Sequence, residues 1–147
     1  EELPEGDYIC ALDQADLVQE GSDVTIITYS RMRYHCLKAV EQLEADGVSV
    51  ELIDLISLKP LDMDTISRSI RKTHRVIVVE ECMKTGGIGA ELLALITEHC
   101  FDDLDARPIR LSSQDIPTPY NGSLENLTII QPHQIVEAAK EIVSKGI

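Results

Sequence analysis

The sequence predicts an α/β fold, a parallel or mostly parallel sheet with helices on both faces. Two observations carry that expectation. Apolar runs of strand type alternate along the chain with apolar stripes of helical period. Of the strand candidates, Val24–Tyr29 is apolar on both faces, as strands covered on both sides are, and Arg75–Val79 is the most buried in character.

Residues 1–7 are polar, carry Pro4 and Gly6, and read as a linker arriving from a preceding domain, with one domain spanning residues 8–147. Tyr8–Leu12 and Ala15–Val18 are two short extended candidates, either of which could form an edge strand. Val24–Tyr29 follows as a buried strand, and Ser30 stands where a helix N-cap belongs. Met32, Cys36, Ala39, Val40 and Leu43 stripe the first helix, which Asp46-Gly47 stops. Val48–Leu55 is the next strand, and Lys59-Pro60 breaks the chain. Asp62 can cap a helix striped by Met63, Ile66 and Ile70, with Arg71, Lys72 and His74 at its end, where positive charge suits the helix dipole. After Arg75–Val79, the residues Ile88, Leu92, Leu95, Ile96 and His99 trace another helix. Pro108–Leu111 is a short strand, Ser112–Gly122 a loop with Pro117, Pro119 and Asn121-Gly122 as breakers, and Leu127–Ile130 an extended candidate. Pro132 opens a last helix, striped by Ile135, Ala138, Ala139, Ile142 and Val143.

The totals fit one globular domain. Its 147 residues can bury a real core, with 44% hydrophobic and 27% charged residues. A single phenylalanine, Phe101, and no tryptophan argue against an aromatic site for stacking sugars or bases. The formal charge of -13 repels nucleic acid and anionic lipid; it fits either plain solubility or a basic partner. No apolar run is long enough to span a membrane. Cys10, Cys36, Cys82 and Cys100 form no C-x-x-C pair and match no zinc spacing, which fits a reducing compartment. The chain opens Glu1-Glu2 without an initiator methionine, as a fragment or processed product of a larger parent would.

The stretch of greatest interest runs from Val76 to Glu91, a strand followed by two carboxylates and the glycines Gly86, Gly87 and Gly89. Such strand-to-helix corners are where α/β sheets hold ligands. Gly87-Ile88-Gly89 is half of a dinucleotide fingerprint, but Leu92 fills the third glycine position and Glu91 would oppose a pyrophosphate. A tight turn with close helix–sheet packing is the better reading. Glu80 and Glu81 are strand neighbours pointing to opposite faces, which suits one local cap or pair and one interface contact rather than an acid/base pair. His35, His74, His99 and His133 lack metal-ligand spacing. Asp115 lies in the loop after the last strand, where functional residues collect, or serves an Asx-type turn ahead of Pro117. The residues alone describe an acidic α/β domain with an interaction surface, with no complete active site.

Seven motifs in order carry a resemblance. They are Asp23–Ser30, Val50–Leu55, Leu58-Lys59-Pro60-Leu61-Asp62, Lys72–Val76, Val79-Glu80-Glu81, Gly86–Glu91 and Asp115–Tyr120. From about Tyr8 onward the chain resembles the C-terminal domain of pyruvate dehydrogenase E1 β subunits, within the transketolase-like superfamily. Glu81–Gly87 with Ser112–Asp115 is most similar to the cyanobacterial and plastid forms. Ile56 departs from the pattern, since many members carry arginine there.

The resemblance implies a three-layer α/β/α sandwich whose five-stranded, mostly parallel sheet has one antiparallel edge strand, a place that suits Ala15–Val18. It implies a whole enzyme that decarboxylates pyruvate with thiamine diphosphate and magnesium and acetylates E2 lipoyl groups, in a cyanobacterial cytoplasm or a plastid stroma. It assigns this stretch no catalytic, cofactor-binding or metal residue. It implies contacts with an E1 α subunit, a second β subunit and the E2 subunit-binding domain. Docking to E2 would use Asp105, in Leu104-Asp105-Ala106-Arg107-Pro108, and the chain end at Ile147. The alternatives are the corresponding domain of a branched-chain 2-oxoacid dehydrogenase or deoxyxylulose phosphate synthase, or a free-standing anion-binding module at the glycine turn.

Overall fold

The computed structural model describes residues 6–144. Of the expected linker, Gly6 and Asp7 are described; Ile147 lies outside the described residues. The strands are β1 (Asp16–Gln19), β2 (Val24–Thr28), β3 (Val50–Asp54), β4 (Val76–Met83) and β5 (Ile109–Ser113). The helices are α1 (Met32–Ala45), α2 (Met63–Thr73), α3 (Gly89–Cys100), α4 (Gly122–Thr128) and α5 (Pro132–Ser144), with one 3₁₀ turn at Phe101–Asp103.

The five strands form one sheet in the order β1-β3-β2-β4-β5. β1 runs antiparallel to β3, and the other pairs are parallel. The expected sandwich with one antiparallel edge strand is therefore the observed architecture.

Strand period assigns the two layers. Val24, Ile26, Val50, Leu52, Ile77 and Val79 face α1 and α5 in one core. Ile27, Ile53, Val76 and Val78 face α2 and α3 in the other. The stripe expected on α1 matches its buried residues one for one. Thr25 shares the α2 face. Its hydroxyl is bonded to that of Ser69 at 2.7 Å and to that of Thr73 at 2.6 Å. Three buried hydroxyls thus satisfy one another between apolar neighbours.

Asp62 caps α2 as expected, accepting from the Thr65 amide at 3.0 Å, and it also accepts from the Ala15 amide at 2.9 Å. Burial alone would raise its pKa, but these hydrogen bonds outweigh it and hold the carboxyl below its ordinary value.

Four expectations need correction. Ser30 is not an N-cap: its φ of 55° lies outside the extended backbone a cap residue adopts, and Arg31 takes the position without a side-chain bond. Tyr8–Leu12 forms no strand, since β3 has its outer edge filled by β1; Ile9 is 96% exposed. β4 does not stop at Val79 but continues through Glu80 to Met83, and β5 extends to Ser113. Of Leu127–Ile130, Leu127 and Thr128 are not extended but close α4, and Ile129 leaves the helix in extended backbone. The Asn121 side chain accepts from the Ser123 amide at 3.0 Å and from the Leu124 amide at 3.3 Å. It starts α4 in this way, so a residue that reads as a breaker is an N-cap.

Candidate functional site

The chain carries two candidate regions at opposite ends of the sheet. The glycine corner follows β4 at the carboxyl edge. Asp105 precedes β5 at the amino edge.

The corner is built around a buried carboxylate. Glu80 is fully buried, yet it is satisfied from four sides. Arg110 on β5 donates its Nε to Oε1 at 2.6 Å, and the Ser112 hydroxyl donates to the same oxygen at 2.8 Å. The Gly89 amide, at the start of α3, donates to Oε2 at 2.8 Å, and the Tyr29 hydroxyl donates to it at 3.2 Å. Burial first, then the Cys82 bond and the Glu80 charge, push the Tyr29 phenol upward, so it stays a donor. Arg110 Nη2 also reaches the Gly87 carbonyl at 3.3 Å.

The glycines now have separate reasons. Gly86 has a φ of 80°. Open space surrounds it, so it is needed for conformation alone. Gly87 and Gly89 have ordinary φ values and are needed for room. A Cβ on Gly87 would lie 2.9 Å from both Glu80 Oε2 and Arg110 Nη2. A Cβ on Gly89 would collide with Glu80 Oε1 and lie 2.7 Å from Arg110 Nε. The corner is thus a tight turn wrapped on an ion pair.

This geometry does not fit a diphosphate. The Gly89 amide, the donor that would meet an anion at the start of α3, is already taken by Glu80, whose own charge would repel one. Among the described residues no group of three His, Cys, Asp or Glu is placed to hold a metal ion.

Glu81, the neighbour across the strand, points elsewhere and pairs with Arg31 at 2.7 Å. Arg31 also approaches Glu125 of α4 at 3.4 Å. Asp115 reaches out of its own loop rather than closing an Asx-type turn ahead of Pro117. Its carboxylate crosses to the glycine turn and accepts from the Thr85 amide (2.7 Å) and hydroxyl (2.8 Å). The Thr85 amide bond, then the Thr85 hydroxyl bond, hold the Asp115 carboxyl below its ordinary 3.8. A depressed folded pKa means that the tether is present above the unfolded value and is lost as pH falls through the folded one. The Thr85 amide resonance is therefore expected to titrate below pH 3.8 and to lose that titration in Asp115→Asn. A cleft of about 370 Å³ lies beside this tether, between Thr85–Ile88, Ser113 and α4.

At the amino edge, the Asp105 amide donates to the His74 carbonyl at 2.9 Å. His74 ends α2 in the left-handed conformation (φ 59°), and its Nδ1 contacts the Asp103 carbonyl at 2.8 Å. Asp105 is 41% exposed and only loosely paired, with Arg75 Nη2 at 3.9 Å. The end of α5 belongs to this same edge, since Lys140 Nζ pairs at 2.7 Å with Asp46, just past α1. Neither the Glu80 knot nor the Thr85–Asp115 tether is readable from spacing, because Arg110 and Ser112 lie 30 and 32 positions from Glu80 and Asp115 lies 30 from Thr85.

All four cysteines are free; Cys36 and Cys100 are buried and Cys10 and Cys82 exposed. Burial pushes the Cys36 thiol up to about 12, as befits a small core hydrophobe. No described helix is long and apolar enough to cross a membrane.

A doubly covered sheet with this strand order and a sealed glycine corner defines an α/β domain, and the transketolase C-terminal domain family matches residues 13–135 of it. The chain belongs to that family. More particularly, it is 64% identical over 146 residues to pyruvate dehydrogenase E1 component subunit beta of Porphyra purpurea, covering 99% of this chain and 44% of that protein. It is 54% identical over 142 residues to the chloroplastic subunit beta-2 of Arabidopsis thaliana, covering 97% and 35%. A split-gene transketolase solved as an inactive β4 tetramer superposes with a TM-score of 0.83 at 24% identity, covering 100% of this chain and 48% of that one. The chain thus spans less than half the length of these relatives.

Proposed function

We propose that this chain is the C-terminal assembly and partner-docking domain of a pyruvate dehydrogenase E1 β subunit. The observation that carries the reading is the 64% identity to such a subunit across nearly the whole chain. The parent enzyme would decarboxylate pyruvate with thiamine diphosphate and magnesium and pass the acetyl group to E2 lipoyl groups. This domain would contribute no catalytic residue, since its glycine corner is closed around Glu80. Its partners would be the E1 α subunit, a second β subunit and the E2 subunit-binding domain. The domain would work in the cytoplasm of a cyanobacterium or, as the chloroplastic relative favours, in a plastid stroma.

The parent protein co-expressed with its α subunit is expected to reduce an artificial acceptor in the presence of pyruvate and thiamine diphosphate. Turnover of branched-chain 2-oxo acids instead would favour the related dehydrogenase, and no turnover of any 2-oxo acid would end the reading.

For docking, the amino edge is the better face. Asp105 is exposed there with a weak internal partner, Asp102 and Asp103 adjoin it, and the described end of α5 lies on the same edge. The chain's charge of -13 suits a basic partner. Asp105→Ala in the assembled enzyme is expected to weaken E2 subunit-binding-domain affinity by about tenfold in calorimetry, roughly 1.4 kcal/mol. The wild-type affinity should fall with added salt. Unchanged affinity would remove Asp105 from the site.

A further inference from the structure

We propose that the carboxyl edge of the sheet is the seat of the preceding half of the parent polypeptide, held against this domain by apolar contact. The inference deepens the reading above and rests on it for a parent longer than this chain.

Apolar exposure is distributed unevenly over the molecule. Of the large hydrophobic side chains exposed among the described residues, Leu17 lies on β1, Tyr34 on the first turn of α1 and Phe101 at the amino edge. Met83 (48%) ends β4 at the carboxyl edge, and the others belong to the segment leading into β1 or to the connections and short helix after β3 and β5. Leu58 (38%), Leu124 (53%) and Leu127 (73%) are among them. Scattered exposed apolar residues need no explanation, whereas a gathering at one end marks a contact surface. The amino edge is ionic by contrast, with Asp46–Lys140, Arg71–Asp103 and Arg75–Asp105 pairs.

The apolar edge is also built rather than loose. Arg31 ties the end of β2 to Glu81 on β4 and to Glu125 on α4. Asp115 ties the loop after β5 to Thr85. The Gln114 amide bonds the Thr128 carbonyl at 3.2 Å and draws the end of α4 onto β5. Loops fixed in this way present their side chains at low entropic cost to whatever covers them.

The occupant follows from the path of the chain. β1 is antiparallel, so its first residue, Asp16, pairs with Asp54 at the carboxyl end of β3. Residues 6–15 therefore enter at this edge, and Cys10 and Ala11 line a pocket with Ile56. The Porphyra relative has more than half its length outside the matched stretch. A domain joined through the segment that arrives at this apolar edge meets the edge at high effective concentration, ahead of any free partner.

The test is site-specific photo-cross-linking in the assembled parent enzyme. Benzoylphenylalanine is placed at Met83, at Leu127 and, as the amino-edge control, at Phe101; all three side chains are exposed, so folding is undisturbed. Enzyme is assembled from mixed light- and heavy-isotope copies of the β chain. The expected result is cross-links from Met83 and Leu127 to residues preceding this domain, within one isotopic copy, and none of that kind from Phe101. Mixed-isotope cross-links would assign the edge to a second copy, products with the α subunit would assign it there, and an absence of protein products would leave the edge bare; each overturns the proposal. Pyruvate turnover on the same samples keeps the two ideas apart. Active enzyme with the wrong cross-links loses only this contact, and the expected cross-links in an enzyme without 2-oxo acid turnover lose only the functional reading.

Discussion

Replacing Arg110 by methionine is expected to destabilise the domain by about 3–5 kcal/mol, the cost of leaving a buried charge without its partner. The midpoint of urea unfolding, followed by circular dichroism, measures it. The size of the effect follows from the environment of Glu80. Its side chain is 0% exposed and that of Arg110 is 11% exposed, so water cannot replace the lost donor. The Gly89 amide, the Ser112 hydroxyl and Tyr29 would remain, but all are neutral. Glu80→Gln is expected to cost less, because Arg110 borders solvent and can recover hydration while Glu80 cannot. Combining Arg110→Met with Glu80→Gln should therefore recover part of the Arg110→Met loss. A double variant as unstable as the sum of the singles would show that the two residues act independently. The surface pairs make a contrast. Arg71–Asp103, at 3.4 Å and largely exposed on the arginine side, belongs to a class worth at most about 1 kcal/mol.

The layers of the fold were legible because helix stripes and strand runs report burial directly. Met32, Cys36, Ala39, Val40 and Leu43 show this on α1, where every expected position is buried. Errors fell where a polar side chain decided local structure. Asn121-Gly122 reads as a turn until the Asn121 side chain is seen to cap α4, and Ser30 reads as a cap until its backbone proves left-handed. The opposite faces expected for Glu80 and Glu81 follow from strand alternation alone and are observed: Glu80 is enclosed, and Glu81 turns to the other face, where its partner is Arg31 of the same domain. What enclosed Glu80 was hidden, because Arg110 and Ser112 sit on the neighbouring strand and tertiary pairing leaves no local pattern. The Thr25–Ser69 and Thr25–Thr73 bonds are hidden for the same reason: only sheet–helix packing brings the two α2 hydroxyls onto the buried Thr25.

Gly89→Ala is expected to destabilise the domain by about 3 kcal/mol, the upper part of the range for forcing an extra carbon into packed space. The sign is not obvious from sequence. Gly89 is the first residue of α3, and alanine is favoured over glycine in a helix by about 1 kcal/mol. Backbone strain does not intervene, because Gly89 lacks the positive φ of Gly86. Sterics decide the outcome: the new Cβ would fall onto Glu80 Oε1, with Glu80 Cδ at 2.8 Å and Arg110 Nε at 2.7 Å. That carboxylate cannot swing aside, since four donors fix it: Tyr29 just past β2, Arg110 and Ser112 on β5, and the Gly89 amide of α3. Gly86→Ala is the informative control, because nothing lies within 4 Å of its Cβ position. It carries only the left-handed penalty, about 1–2 kcal/mol. The experiment also separates two reasons for a glycine at a strand-to-helix corner. A glycine kept open for an anion would accept alanine in the ligand-free protein and reveal the loss only on binding. A glycine kept open for Glu80 fails in the free protein, and Gly89→Ala made together with Glu80→Ala should cost less than the sum of the two. Additive losses would break the link between the glycine and the carboxylate, and with it the account of why this corner is closed.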